Sequence, residues 1–125
     1  MALTVSNLND ETASFTLSVG NESVAVVYYS GRVTTETIQE IERISKMVAK
    51  DVTETYKAID HMLVRLIKSW DLFEDDEHMM MFPLIPEHLA TLPAVFRLKV
   101  LSATIKAAMA DQEPPKFLPE IRYLN

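Results

Sequence analysis

The sequence predicts an α+β protein, mostly helical, in which an N-terminal β-hairpin precedes a small helical bundle. Three observations predict it. Residues 13–29 read as two short strands around Gly20-Asn21. From residue 32 to 82 no proline or glycine interrupts an apolar stripe that recurs at three and four. Residues 86–110 then carry two further helical patterns, each opened by a proline.

In chain order, residues 1–12 are polar and weakly patterned and read as a flexible N-terminus. Phe15, Leu17 and Val19 alternate with Ser14, Thr16 and Ser18, the period of a half-buried strand. Gly20-Asn21 suits the positive φ angles of a tight hairpin turn. Ser23 to Tyr29 forms the second strand, with apolar residues on both faces, so something should cover the outer one. An isolated hairpin is marginal in water, so it should lie on helices or pair with another chain.

Thr34 or Thr35 can cap the next helix, with Glu36 and Glu40 near the positive end of its dipole. Ile38, Ile41, Ile44 (or Ser45), Val48, Val52, Ile59, Met62, Leu63, Leu66, Ile67 and Trp70 form the stripe. Helical structure is therefore expected over about residues 35–71. One long helix would fit, but the spacing loosens after Val52, and Asp51 or Thr53 can start a second helix, so two are favoured. Glu74 to Glu77 ends the pattern. Pro86 suits the first position of a short helix, and Pro93 opens a last one carrying Val95, Phe96, Leu98, Leu101, Ile105, Ala108 and Met109. The domain so defined spans 13–110, with residues 111–125 as a C-terminal tail.

The bulk numbers exclude several functions. A chain of 125 residues that is 48% apolar can bury a real core in one domain. A net charge of −6, with Lys and Arg scattered, argues against nucleic acid and against anionic membrane. With no cysteine, disulfides, thiolate metal sites and cysteine nucleophiles are excluded. No signal peptide and no membrane span is visible, so a soluble intracellular protein is expected.

The chemistry-bearing residues are sparse. His61, Asp60, Asp75, Asp76, His78 and His88 lack the spacing of a zinc motif or a calcium loop. With two glycines in the chain there is no phosphate-cradling loop, and no nucleophile elbow is present. No enzyme activity, metal or cofactor is expected. Trp70, the only tryptophan, continues the stripe and reads as a buried anchor that ends the helix, with Asp71 able to cap the turn after it.

The best candidate for function is the apolar, proline-broken run Met79-Met80-Met81-Phe82-Pro83-Leu84. Loops are usually polar because they run over the surface, so an apolar loop is either a packed flap or a partner site. Adjacent methionines cannot all face inward in an extended segment, and methionine suits adaptable surfaces. Phe117, Leu118, Ile121 and Tyr123, after Pro114-Pro115, read equally as a docking segment or as a strap over the domain.

These residues resemble a known family. The order is Val24-Ala25-Val26-Val27-Tyr28-Tyr29, then Gly31 and Thr34 before a long helix. Ser69-Trp70-Asp71-Leu72, an acidic turn and Pro83-Leu84 follow, and Glu87-His88-Leu89-Ala90-Thr91-Leu92-Pro93 leads into a final helix. Over roughly residues 24–110 this resembles the tail assembly chaperones of long-tailed bacteriophages. Trp70-Asp71 is the most specific element. Where the family has a glycine before Pro-Leu, this chain has Glu77-His78-Met79-Met80-Met81.

The resemblance implies a non-catalytic protein of the host cell cytoplasm, absent from the mature virion. It implies binding to the tape measure protein and recruitment of tail tube protein. A homo-oligomer is compatible with the apolar second strand and with sheet edges. The alternative is a structural virion component, such as a head–tail connector or tail completion protein, in which the apolar loop is a permanent subunit contact.

Overall fold

The computed structural model describes residues 3–47, 50–74 and 80–112. The hairpin is present: β1 (Ala13–Val19) pairs antiparallel with β2 (Glu22–Tyr28), Val19 opposite Glu22 across Gly20-Asn21. Gly20 sits at φ 63°, a conformation that glycine adopts without steric cost.

Helices follow where the caps foretold. In α2 (Thr35–Met47) the Thr34 hydroxyl accepts from the Thr37 N–H at 3.2 Å, so Thr34 rather than Thr35 is the cap. The Thr37 hydroxyl in turn donates to the Arg32 carbonyl at 3.0 Å. The stripe divides into two helices, and α3 (Val52–Leu66) starts at Asp51, whose carboxylate accepts from the Glu54 N–H at 3.1 Å. Short α4 (Pro86–Leu89) has proline in its first turn, and α5 (Ala94–Gln112) closes the described chain, two residues into the expected tail. The fold class is therefore α+β, a small antiparallel sheet followed by helices.

One element is new and one expectation is corrected. Within the segment read as a flexible N-terminus, α1 (Val5–Asn9) forms a helical turn capped by the Thr4 side chain, which accepts from the Asn7 N–H at 3.2 Å. More consequentially, the helix does not run on to residue 71. It stops at Leu66, and β3 (Ile67–Trp70) adds a third strand in the order β1-β2-β3. Two terminal carbonyls of α3 that lack helical partners are met from afar. Tyr29 N–H donates to Leu66 O at 2.8 Å, and Arg32 Nη1 to Arg65 O at 3.0 Å. The second strand's other edge is covered by β3, so β2 is central and β1 is an outer strand.

Strand β3 also explains the misleading spacing. Tyr28 opposes Ile67 and Val27 opposes Ser69, so Lys68 is an extra residue, a bulge. A regular strand would send Ile67 and Trp70 to opposite faces; the bulge lets both point into the core while Lys68 is exposed. An apolar spacing of three here comes from a bulged strand, not a helix.

The core lies between the inner face of the sheet and the helices. Val24, Val26 and Tyr28 of β2 pack with Ile59, Leu63 and Leu66 of α3 and with Val100 and Leu101 of α5. Helix α3 touches α2, α4, α5 and β3 and is the central element. Among the described residues no helix is long and apolar enough to cross a membrane.

Candidate functional site

The segment after β3 is built by backbone pairing that continues the sheet. Asp71 N–H donates to Ala25 O at 3.1 Å, and the Asp71 carboxylate accepts from Ala25 N–H at 2.5 Å. The side chain thus stands in for a strand carbonyl and prolongs the β2–β3 ladder by one step. Asp71 was expected to cap the turn that follows; it ties the turn back to β2 instead.

Beyond Asp71 the chain folds back on itself. Phe82 N–H donates to Leu72 O at 2.7 Å, Glu74 N–H donates to Met80 O at 3.0 Å, and Phe73 lies opposite Met81 as a bridge pair. Residues 72–74 and 80–82 are therefore the two arms of a second, smaller hairpin. Trp70 pins its base. Trp70 is 4% exposed, its Nε1–H donates to Phe82 O at 2.9 Å, and its ring packs at a tilt against Phe96 of α5 with centroids 6.1 Å apart. Burial of Trp70 matches its expected role as anchor, though it ends a strand. A buried indole N–H needs an acceptor, and here that need fixes where the returning arm sits.

This frame sorts the predicted partner-binding residues. Met80 and Met81 are exposed, at 60% and 41%, on the returning arm. Phe82 and Leu84 are half-buried against the core, and the Phe82 ring meets His88 edge-on at 6.1 Å. Ile85, just before α4, is also exposed. Met79, Phe117, Leu118, Ile121 and Tyr123 lie outside the described residues, as do Asp75, Asp76, Glu77 and His78. The structure thus joins Met80, Met81, Phe82 and Leu84 to Trp70 in one substructure.

Beside this hairpin runs a groove of about 390 Å³, lined mainly by Val24, Leu72, Phe73, Leu92, Pro93 and Phe96. It lies between the sheet, the small hairpin and the start of α5. Its lining is largely apolar and also includes Glu22, Ser23 and Asp71.

A second, polar cleft of about 600 Å³ lies among α1, α2 and the turn before α2. Its arginines are engaged internally. Arg32 stacks over Tyr29 at 3.7 Å and approaches Asp10 at 3.9 Å, while Arg65 reaches Glu40 at 3.7 Å. These exposed pairs contribute little stability each.

The possible metal ligands are dispersed. Asp60 is buried and paired with Arg97, His61 is exposed, and His88 packs on Phe82. Among the described residues no three His, Cys, Asp or Glu side chains come together as ligands could.

The Asp60–Arg97 pair itself escaped the sequence reading. Its signal was a carboxylate set between Ile59 and Met62 on the apolar stripe. Helix α5 likewise buries Arg97 and Thr104 beside Val100 and Leu101, while Val95, Leu98 and Met109 remain exposed. Comparison with known protein families, with curated proteins and with solved structures gives no match.

Proposed function

We propose that this chain is a non-catalytic binding protein whose client contacts are made by the small hairpin at Met80-Met81 and the adjoining apolar groove. The carrying observation is the exposure of both methionines on an arm whose base is held by the Trp70–Phe82 hydrogen bond. A rigid base with flexible, polarisable side chains at the surface fits recognition of apolar helices of varied sequence. Exposed apolar side chains next to an apolar groove are features of interaction sites.

The client we infer is a phage tape measure protein, with the chain acting as a tail assembly chaperone in the host cell cytoplasm and recruiting tail tube protein. Support for this finer reading comes from the motif order around Trp70-Asp71, Pro83-Leu84 and Glu87 to Pro93. Co-expression with the tape measure protein of the same phage tests it. The expected result is a soluble complex that weakens about tenfold when Met80 and Met81 are changed to serine, the loss of roughly 1.4 kcal/mol of contact. Mass spectrometry of purified virions should not find the chain. Stoichiometric recovery from virions would overturn the chaperone reading in favour of a structural virion component.

A further inference from the structure

The outer edge of β1 is open among the described residues, and its chemistry is self-complementary. Which groups face outward follows from the other side of the sheet. Ala25 spends its N–H and C=O on Asp71, toward β3. It therefore cannot exchange hydrogen bonds with Thr16, its neighbour on β1. Antiparallel ladders alternate bonded and non-bonded pairs, so Ala13, Phe15, Leu17 and Val19 bond to β2. The backbone groups of Ser14, Thr16 and Ser18 point away from the sheet.

The strand Ala13-Ser14-Phe15-Thr16-Leu17-Ser18-Val19 reads nearly the same in both directions about Thr16. Laid antiparallel against a second copy, Ser14 meets Ser18, Phe15 meets Leu17, Ala13 meets Val19, and Thr16 meets Thr16. Each of these contacts joins like chemistry. The outward groups of Ser14, Thr16 and Ser18 also fall in the bonded positions of that register. One register therefore satisfies both the backbone and the side chains. A two-fold interface requires this self-complementarity.

Edge strands that stay single usually carry a charge, a proline or a bulge. Strand β1 has no charged residue and no proline, and its register with β2 is continuous. Phe15 and Leu17 are only half-buried, and Val19 is exposed; a neighbouring strand would extend the apolar face they begin.

We propose that two copies of this chain pair edge to edge through β1, antiparallel, with Thr16 facing Thr16 across the two-fold axis to form a continuous six-stranded sheet. The pairing is independent of what the Met80-Met81 hairpin binds. It places the interface on β1, not on the apolar β2 that first suggested self-association.

Sedimentation equilibrium of the full chain over rising concentration tests it. Wild type should be a dimer in reversible exchange with monomer. Thr16→Lys and Thr16→Glu, whose side chains are exposed in the monomer, put like charges across the axis. Each should weaken the dimer by about tenfold or more. Mixed in equal amounts the two variants should form a heterodimer. Thr16→Pro removes the outward N–H and fixes φ near −65°, which an edge strand tolerates at a solvent-facing N–H, and should be monomeric with a near-native circular dichroism spectrum. A wild type that stays monomeric at every concentration would overturn the proposal. So would charge variants that dimerise as well as wild type, or that fail to rescue each other while folded.

Discussion

Arg97 of α5 donates from a single nitrogen, Nη1, to both carboxylate oxygens of Asp60 on α3, at 2.8 and 2.7 Å. The side chains are 9% and 5% exposed. The guanidinium lies 5.0 Å from the Tyr56 ring, and its Nε has no partner among the described residues. The pair joins the two helices that form the centre of the core.

Burying both charges costs most of what their attraction returns, whereas removing one leaves the other uncompensated. Asp60→Leu or Arg97→Met alone should therefore destabilise by about 3–5 kcal/mol. The double variant should regain most of the loss, because neither buried charge is then left without its partner. Urea unfolding followed by Trp70 fluorescence checks this, the coupling appearing as strong non-additivity. A double variant as unstable as the worse single one would show that the pair is a net source of stability.

Trp70 joins the core to the small hairpin, and two substitutions separate these roles. Trp70→Ala should cost about 3–5 kcal/mol through lost packing. Trp70→Phe keeps most of the apolar body but leaves the Phe82 carbonyl without its indole donor, at about 1–2 kcal/mol. Hydrogen exchange should then reveal faster opening at the Phe82 and Glu74 amides, which close the hairpin, with the β1–β2 amides unchanged. Equal loosening of both regions would mean that the indole bond does not act locally.

What the sequence disclosed divides by the distance over which it is encoded. Thr34, Asp51 and Pro86 act on their own first turns, and Gly20-Asn21 on its own hairpin, so helix starts and the first turn were legible. The end of α3 was not, because Tyr29 and Arg32, more than thirty residues earlier, cap its carbonyls. The bulge at Lys68 then gave Ile67 and Trp70 a helical spacing within a strand. For the candidate site, methionine crowding implied that Met79, Met80 and Met81 could not all face inward, and Met80 and Met81 are exposed. The hairpin that presents them depends on the Trp70–Phe82 bond, which no local pattern announces. The Asp60–Arg97 pair is equally non-local.

The two glycines should respond differently to alanine. A Cβ on Gly31 would lie 1.7 Å from the Leu8 carbonyl oxygen, so the backbone of α1 would have to move. Helix α1 buries no residue, and detaching it should cost less than about 1 kcal/mol globally. The readout is local: the Asp10 and Glu11 amides, now bonded to Ser6 and Leu8, lose exchange protection. At Gly20 the space is open but φ is 63°. Alanine there should cost about 1–2 kcal/mol of global stability with no local signature.

The methionines decide whether the small hairpin is a surface or a flap. Removing an exposed apolar side chain changes little, because it was not withdrawn from water by folding; surface substitutions usually fall within about 0.5 kcal/mol. Met80→Ser/Met81→Ser should therefore leave the urea midpoint almost unchanged while weakening client binding. Leu84→Ser is the contrasting control. Leu84 is half-buried against the core, and losing part of that contact should cost roughly 1–2 kcal/mol. If both variants are destabilised alike, the arm is closed over the core in solution and Met80 and Met81 belong to the fold. Loss of binding at full stability leaves contact with a client as the role of those two side chains.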